Sequence, residues 1–596
     1  MQRVLILLSA IGTLLILGWL LKYRAYGIDF TDESFYLVWI SNPFIYDFSR
    51  TQFGFVYHPL YRLLGGDIAT LRQANFLITF GLAWGLTYTF LASLAPGFKE
   101  SRVTLHTVAA GLATSAFMLF ASWLPTPSYN SLALQALLIT GTGLLLAEKT
   151  VTRKSILGWI TIGAGGWLAF MAKPSTALAL AVGILICLVL SRKFSVRLFL
   201  LAAASFAIPL LASAMLIDGT PWDFVKRLQR GMEFGQLLTD KLNQILRIDE
   251  FQLDKRTKSA ALLVFTMLLI AIWSMWAKNR KWLFIGLSIS IAFFALTALL
   301  TIGQIYWAAG FGKFQGLLIF GVVFAAALAG PTFGWPQGLK SITASQWAIA
   351  GLFLVMPHIY AFGTGNNYWS QGNSAAIFWL LAGLTLLGPL VRERASWLLA
   401  LPLVLATQAV TAILLQTGFE QPYRQPQPLR LNDTIQEIGP QKSVLLLSAG
   451  YAAYLNSATT TARDAGFKPA TSVIDLSGQS PGILFALGAK SIGQPWTLGG
   501  YPGSLLFLKA GLSRFSCEEI AAAWVLFEPD GPDSISAELM PSLGAEFPEG
   551  YKRVGTWHTA KGAGGYAASR IQELYKPIKS QETLMACEML RSKITR

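Results

Sequence analysis

Charge is scarce in this sequence. Of its 596 residues only 13% are Asp, Glu, Lys or Arg, while 54% are hydrophobic and mean hydropathy is +0.50. That balance excludes an ordinary soluble globular protein. Histidine occurs four times and cysteine three times, with no Cys-x-x-Cys pair, so a structural zinc site is not expected. A P-loop and a Gly-x-Gly-x-x-Gly are also missing, which argues against ATP-driven transport. No internal repeat is present.

Long apolar runs fill the space that charge leaves. A helix needs about 20 apolar residues to cross the hydrocarbon core, and by that measure the chain has about thirteen candidate spans. They lie near 4–21, 74–94, 103–123, 131–147, 156–172, 174–190, 198–216, 259–276, 283–302, 314–330, 347–363, 374–390 and 396–416. After residue 416 no run is long enough. The run at 4–21 is long for a cleaved signal peptide, lacks a small-residue cleavage site and is followed by Lys22 and Arg24. It reads as a retained signal anchor.

Cytoplasmic loops are enriched in Lys and Arg. With the N-terminus inside, that side carries fifteen basic residues, from Arg3 to Arg394, against Glu100, Glu148 and Glu393. The resulting +12 accounts for most of the formal +16, so the basic character reflects topology and gives no support to nucleic-acid binding. Lys173 and Lys313 are the exceptions on the opposite side. An odd number of spans places the C-terminus outside the cytoplasm.

The sequence therefore divides into a membrane part, 1–417, a Pro-rich linker ("QPYRQPQPLR") within 418–435, and an extracytoplasmic domain, 436–596. In that last domain "SVLLLS" (443–448), "TSVIDLSG" (471–478) and "AAWVLFEP" (522–529) read as strands, which predicts a small α/β domain. Two further outer segments, 22–73 and 217–258, are too long to be turns, and the second reads as an amphipathic interfacial helix. Cys517 and Cys587 both fall in the outer domain, an oxidising setting, and are expected to bridge.

Three carboxylates crowd into "GIDFTDESFY" (27–36), where the chain leaves the first span. One reading is structural: Thr31 caps a helix, and Asp32 and Glu33 lie in its first turn, where the macrodipole favours anions. The next segment, "FGFVYHPLYRLLGGDIATLRQANFL" (53–77), supplies the other. An acidic pair after the first span and a His-Pro segment before the second resemble the GT-C superfamily of membrane glycosyltransferases. Protein O-mannosyltransferases, lipid A aminoarabinose transferases and bacterial lipopolysaccharide glycosyltransferases share that order of motifs.

The resemblance implies an all-α polytopic membrane protein with an added soluble α/β domain. It implies an inverting transfer of sugar from a polyprenyl-phosphate donor to a glycan, glycolipid or protein acceptor. The setting would be the outer face of a bacterial plasma membrane. Asp32 then matches the catalytic carboxylate and Glu33 its neighbour. Such a transfer needs a base for the acceptor hydroxyl and cations or helix N-termini for the leaving phosphate. Asp29, His58, Arg62, Asn130, Lys173 and Lys313 are the candidates for substrate and donor binding; for both lysines the alternative is a snorkelling interfacial side chain.

Many relatives carry a second acidic residue between spans three and four, where this chain has Tyr129-Asn130. A divalent metal is therefore doubtful, and no cofactor is assigned. The loop "YAFGTGNNYWSQGN" (360–373) reads as an ordinary outer loop with interfacial aromatics, sugar contact being its alternative. His106 and His358 are expected to be packed, and His558 has no metal-ligand spacing around it. A flippase or transporter of lipid-linked glycans is the competing function, disfavoured because the spans lack mid-membrane ionisable residues. A non-catalytic assembly protein built around the outer domain is a third.

Overall fold

The computed structural model describes residues 2–94, 102–238, 248, 251, 253–277, 279–306, 314–332, 336–394 and 397–594. The membrane part consists of α1 (Gln2–Tyr23), α2 (Asp32–Ser41), α3 (Phe53–Leu63), α4 (Ile68–Leu94), α5 (Arg102–Ala113) and α6 (Tyr129–Leu146). It continues with α7 (Arg153–Ala172), α8 (Pro174–Leu190), α9 (Val196–Asp218), α10 (Pro221–Leu238), α11 (Lys255–Trp276) and α12 (Arg280–Thr301). The last of its helices are α13 (Leu317–Thr332), α14 (Pro336–Lys340), α15 (Ala344–Ala361), α16 (Tyr368–Gly372), α17 (Ile377–Arg394) and α18 (Leu401–Glu420).

A helix stands at each of the thirteen expected spans, but their lengths correct the count. Among the described residues nine helices are long and apolar enough to cross a membrane, ten if a bent pair counts as one span. Pro174–Leu190 and Leu317–Gly330 are shorter, and the helix over 377–393 is bent by 70° from Tyr368–Ala375. In α15, Gln346, Pro357 and His358 dilute the apolar run. The chain is a multi-pass membrane protein.

Every residue of α18 is buried, which makes this helix an axis of the bundle. Its polar Gln408 is tied to α1, with Nε2 donating to Ser9 O at 2.8 Å and Thr13 Oγ1 at 2.9 Å. Interhelical hydrogen bonds of this kind hold helices together where lipid removes the hydrophobic drive. Of the expected amphipathic segment 217–258, α10 covers the first half; Phe224, Arg227, Gly231 and Phe234 are its buried face.

The C-terminal domain is α/β, as its strand-like runs lead one to expect. A hairpin pairs β1 (Thr434–Ile438) with β2 (Ser443–Leu447). The main sheet combines β3 (Ser472–Asp475), β4 (Lys490–Ser491), β5 (Trp524–Phe527), β6 (Tyr551–His558) and β7 (Ile571–Pro577) in the order β4-β3-β5-β7-β6. Strands β4, β3 and β5 run parallel, and β7 and β6 are antiparallel. Cys517 and Cys587 are disulfide-bonded, joining the short helix Cys517–Ala522 to the terminal helix Ser580–Ile594.

This domain is stitched to the acidic segment rather than tethered near it. Strand β2 continues onto residues 25–27: Leu446 N donates to Ala25 O at 2.8 Å and Gly27 N to Leu446 O at 2.9 Å. Gly482 N donates to Phe30 O at 3.0 Å. The Pro-rich stretch is likewise packed, with Leu429 fully buried.

Candidate active site

The three carboxylates of 29–33 have three different circumstances. Asp29 is fully buried and serves as the local cap. Its carboxylate accepts from Thr31 N at 3.2 Å, from Thr31 Oγ1 at 2.9 Å and from Glu33 N at 3.2 Å. Thr31, expected as the N-cap, makes no side-chain capping bond. Burial, and then the charge of Asp32, push the Asp29 carboxyl up to about 7.

Glu33 is also fully buried and is paired with Arg72 of α4, itself fully buried. Arg72 Nε lies 3.0 Å from Glu33 Oε1, and Nη2 lies 2.9 Å from Oε2. Thr126 adds its hydroxyl at 2.6 Å and its amide at 3.2 Å. Arg72 spends its remaining donors on Arg24 O and Gly27 O, both at 2.9 Å. Glu33 therefore fixes the loop against α4 and has no acceptor capacity facing a substrate.

Asp32 differs from both. Its side chain is 24% exposed, and it lies on the walls of two cavities, of about 370 Å³ and about 570 Å³. Arg424 Nη1 donates to Asp32 Oδ2 at 3.3 Å and to Thr31 Oγ1 at 2.7 Å. Burial raises the Asp32 carboxyl above its ordinary value, while the Arg424 charge and a hydrogen bond from Tyr423 oppose the rise. The guanidinium of Arg424 stacks on Tyr423, 4.8 Å from the ring centroid.

The smaller cavity lies among membrane helices. Tyr36, Tyr129, Asn130, Gln371, Asn373 and Tyr423 are among its polar walls, and among the described residues Asn130 Oδ1 and Asn373 Oδ1 have no hydrogen-bond partner. The loop 360–373 is thus not peripheral: Thr364, Asn366, Ser370 and Gln371 join Asn373 on this wall. Lys173 sits one layer behind, buried between α7 and α8. Its Nζ donates to Tyr360 O at 2.8 Å and lies over the rings of Tyr360 at 4.5 Å and Tyr129 at 5.8 Å. Both tyrosines line the cavity.

The other candidates stand apart. His58 Nδ1 donates to Ile40 O at 2.8 Å, holding α3 to α2, and His58 lines neither cavity. Arg62 is exposed in the last turn of α3, and Lys313 lies outside the described residues. His106 is stacked on Tyr88 at 4.3 Å and His358 packs edge-on to Trp369 at 4.8 Å. Among the described residues no three His, Cys, Asp or Glu side chains gather as a metal site.

Sequence reading missed Tyr423, Arg424 and Arg50. The first two belong to a stretch whose proline content marks only extended chain, and nothing local to them points to a partner 392 residues away. Arg50, in the segment between α2 and α3, lines the larger cavity without any motif to mark it.

No family model matches the chain, and no curated protein matches it. Among solved structures it is similar to ArnT from Cupriavidus metallidurans in the apo state, at 13% identity and a TM-score of 0.40, covering 96% of this chain and 98% of that one. The same protein bound to undecaprenyl phosphate matches at 13% identity and 0.40, covering 95% and 97%. A likeness of that degree decides neither mechanism nor substrate, which rest on the geometry of the site.

Proposed function

We propose that the protein is a membrane glycosyltransferase that moves a sugar from a polyprenyl-phosphate donor to an acceptor hydroxyl on the extracytoplasmic side. The observation that carries this reading is Asp32 on a wall common to two cavities, the only carboxylate of the acidic motif with an accessible oxygen. A general base needs that placement, between a hydroxyl on one side and an anomeric carbon on the other. The order of motifs along the sequence supports the same chemistry.

In this reading the donor occupies the smaller cavity, among the membrane helices, where a lipid tail can stay in the bilayer. Unpartnered Asn130 and Asn373 carbonyls suit sugar hydroxyls. Lys173, behind Tyr129 and Tyr360, supplies positive charge through the ring faces, which makes their hydroxyls better donors to a phosphate. Asp32 takes the acceptor proton as the acceptor oxygen attacks the anomeric carbon. The bond from that carbon to the phosphate oxygen breaks, polyprenyl phosphate leaves with the electron pair, and configuration inverts. Arg424 and Tyr423 orient the base; Asp29 and Glu33 shape the loop that presents it.

The test is release of undecaprenyl phosphate from a panel of undecaprenyl-phosphate sugars by the protein in nanodiscs, with membrane glycans as acceptors. Release by the wild type and its loss in Asp32→Asn support the assignment. Movement of the lipid across the bilayer without release of the phosphate would instead identify a transporter.

A further inference from the structure

The two cavities that share Asp32 differ in their unsatisfied polar groups. Among the described residues, those next to the smaller one are the side-chain carbonyls of Asn130 and Asn373 and the hydroxyl of Tyr360. Around the larger one they are donors. Gln494 is 4% exposed, and among the described residues neither its Nε2 nor Nε1 of Trp496 has a partner. Arg50 gives its Nε to Gly231 O at 3.0 Å, and among the described residues its guanidinium has no carboxylate partner.

The position of Arg50 is built into the fold. Gly231 and Gly235 are one turn apart on α10. A Cβ at 231 would strike the backbone of Ser49, and a Cβ at 235 would overlap the Arg50 guanidinium. The two glycines open a notch into which residues 49–50 settle. Indole and phenyl faces complete the walls: Phe35 and Trp39 from α2, Phe48 stacked on Phe234 at 4.1 Å, and Trp496, 6.0 Å from Phe35. Trp496, Tyr501 and Phe507 come from the C-terminal domain, and α2 and α10 are not among the membrane-spanning helices. Most of this cavity's wall therefore comes from outside the candidate spans.

A guanidinium with no carboxylate partner among the described residues, beside aromatic faces and unpaired buried donors, suits an anion carried on a sugar ring. The planar fork of Arg grips phosphate or carboxylate oxygens two at a time, and an indole face covers the apolar side of a pyranose. We propose that the larger cavity is the acceptor site and selects a saccharide bearing an anionic group, held by Arg50 with its ring against Trp496. The word acceptor rests on the reading of Asp32 as the base; the anion preference does not. The C-terminal domain is then a specificity element, because it supplies one wall of the site.

Binding of soluble probes to the full-length protein in nanodiscs tests this without turnover. In ligand-observed saturation-transfer NMR, glucose 6-phosphate and glucuronate bind about tenfold or more tighter than glucose, the scale of a charge-assisted hydrogen bond. Arg50→Gln abolishes the difference, Arg50→Lys keeps part of it, and Trp496→Ala weakens all three sugars. Asp32→Asn removes a negative charge from the same wall, so it abolishes transfer while the anion preference persists or grows, and failure of the base assignment and failure of this one are separate results. Equal binding of glucose, or an anion preference that survives Arg50→Gln, overturns the proposal. Displacement of glucose 6-phosphate by undecaprenyl phosphate also overturns it, by giving the anion site to the donor lipid.

Discussion

Replacing Asp32 by Asn keeps its size and most of its hydrogen bonds but removes the basic lone pair. General-base catalysis contributes a factor of about 10² to 10⁴, so turnover falls by at least about a hundredfold in protein that still folds. The pH profile carries a sign. Burial raises the Asp32 carboxyl, so the basic form is lost on acidification at a higher pH than for an ordinary aspartate of about 3.9. The acid limb of kcat/KM therefore lies above that value, and because Asp29 is coupled it reports the pair. Arg424→Gln removes the charge that holds Asp32 down, and the limb moves to still higher pH. Glu33 behaves differently, since its carboxylate is spent on Arg72 and Thr126. Glu33→Gln leaves the buried Arg72 charge uncompensated, a loss of about 3–5 kcal/mol in stability, seen as a lowered unfolding midpoint in detergent. Pairing it with Arg72→Gln recovers part of that loss. A Glu33→Gln protein that kept its midpoint but lost turnover would return Glu33 to the chemistry.

At the scale of elements, α10 is held to the 48–51 segment by its missing side chains. Gly231→Ala places a methyl on the Ser49 backbone, which cannot yield as the end of a flexible side chain can. The expected result is separation of the two elements and loss of the Arg50–Gly231 bond, with faster amide exchange over residues 43–52. Gly235→Ala meets only the guanidinium and should cost the anion preference while leaving exchange near normal. Elements are also where the sequence speaks most clearly. Each expected span coincides with a helix, because the bilayer imposes a length and a composition that no other constraint imitates. The count fell where polarity broke the pattern, as at Pro357 and His358, or where a helix bends, as before Ile377. Three strands of the C-terminal domain were legible as apolar runs. The two-residue β4 and the half-exposed β1, β6 and β7 were not, since neighbours rather than intrinsic pattern define such strands. Asp32 could be read from its local motif, whereas Tyr423, Arg424 and Trp496 reach the site only through tertiary packing.

For the whole molecule, the question is whether the C-terminal domain is an appendage or a part of the site. Its contacts favour the second. Asp47, between α2 and α3, is bonded to Arg230 of α10 at 2.7 Å and to Arg514 of the domain. Tyr451 donates to the carbonyl of Arg424 at 2.9 Å, fixing the residue that orients Asp32. The disulfide closes the far side of the domain over a separation of 70 residues. Removing it with Cys517→Ser is expected to cost about 4 kcal/mol of domain stability by loop entropy without touching the seam at residues 25–27. That seam can be cut selectively. In the β1–β2 pair Leu446 opposes Ile435, and both its amide and its carbonyl face residues 25–27. Leu446→Pro therefore deletes the donor to Ala25 while sparing the ladder within the hairpin. Ile435→Pro, on the outer edge of the same pair, is the control. If the domain holds the acidic loop in register, Leu446→Pro loosens residues 25–33 and lowers turnover tenfold or more, about the cost of one misplaced ångström or less at the reacting centre, while Ile435→Pro does not. The Cys517–Cys587 bond and the unfolding transition of the domain should be unchanged in both. Equal activity of the two variants would make the domain an appendage after all.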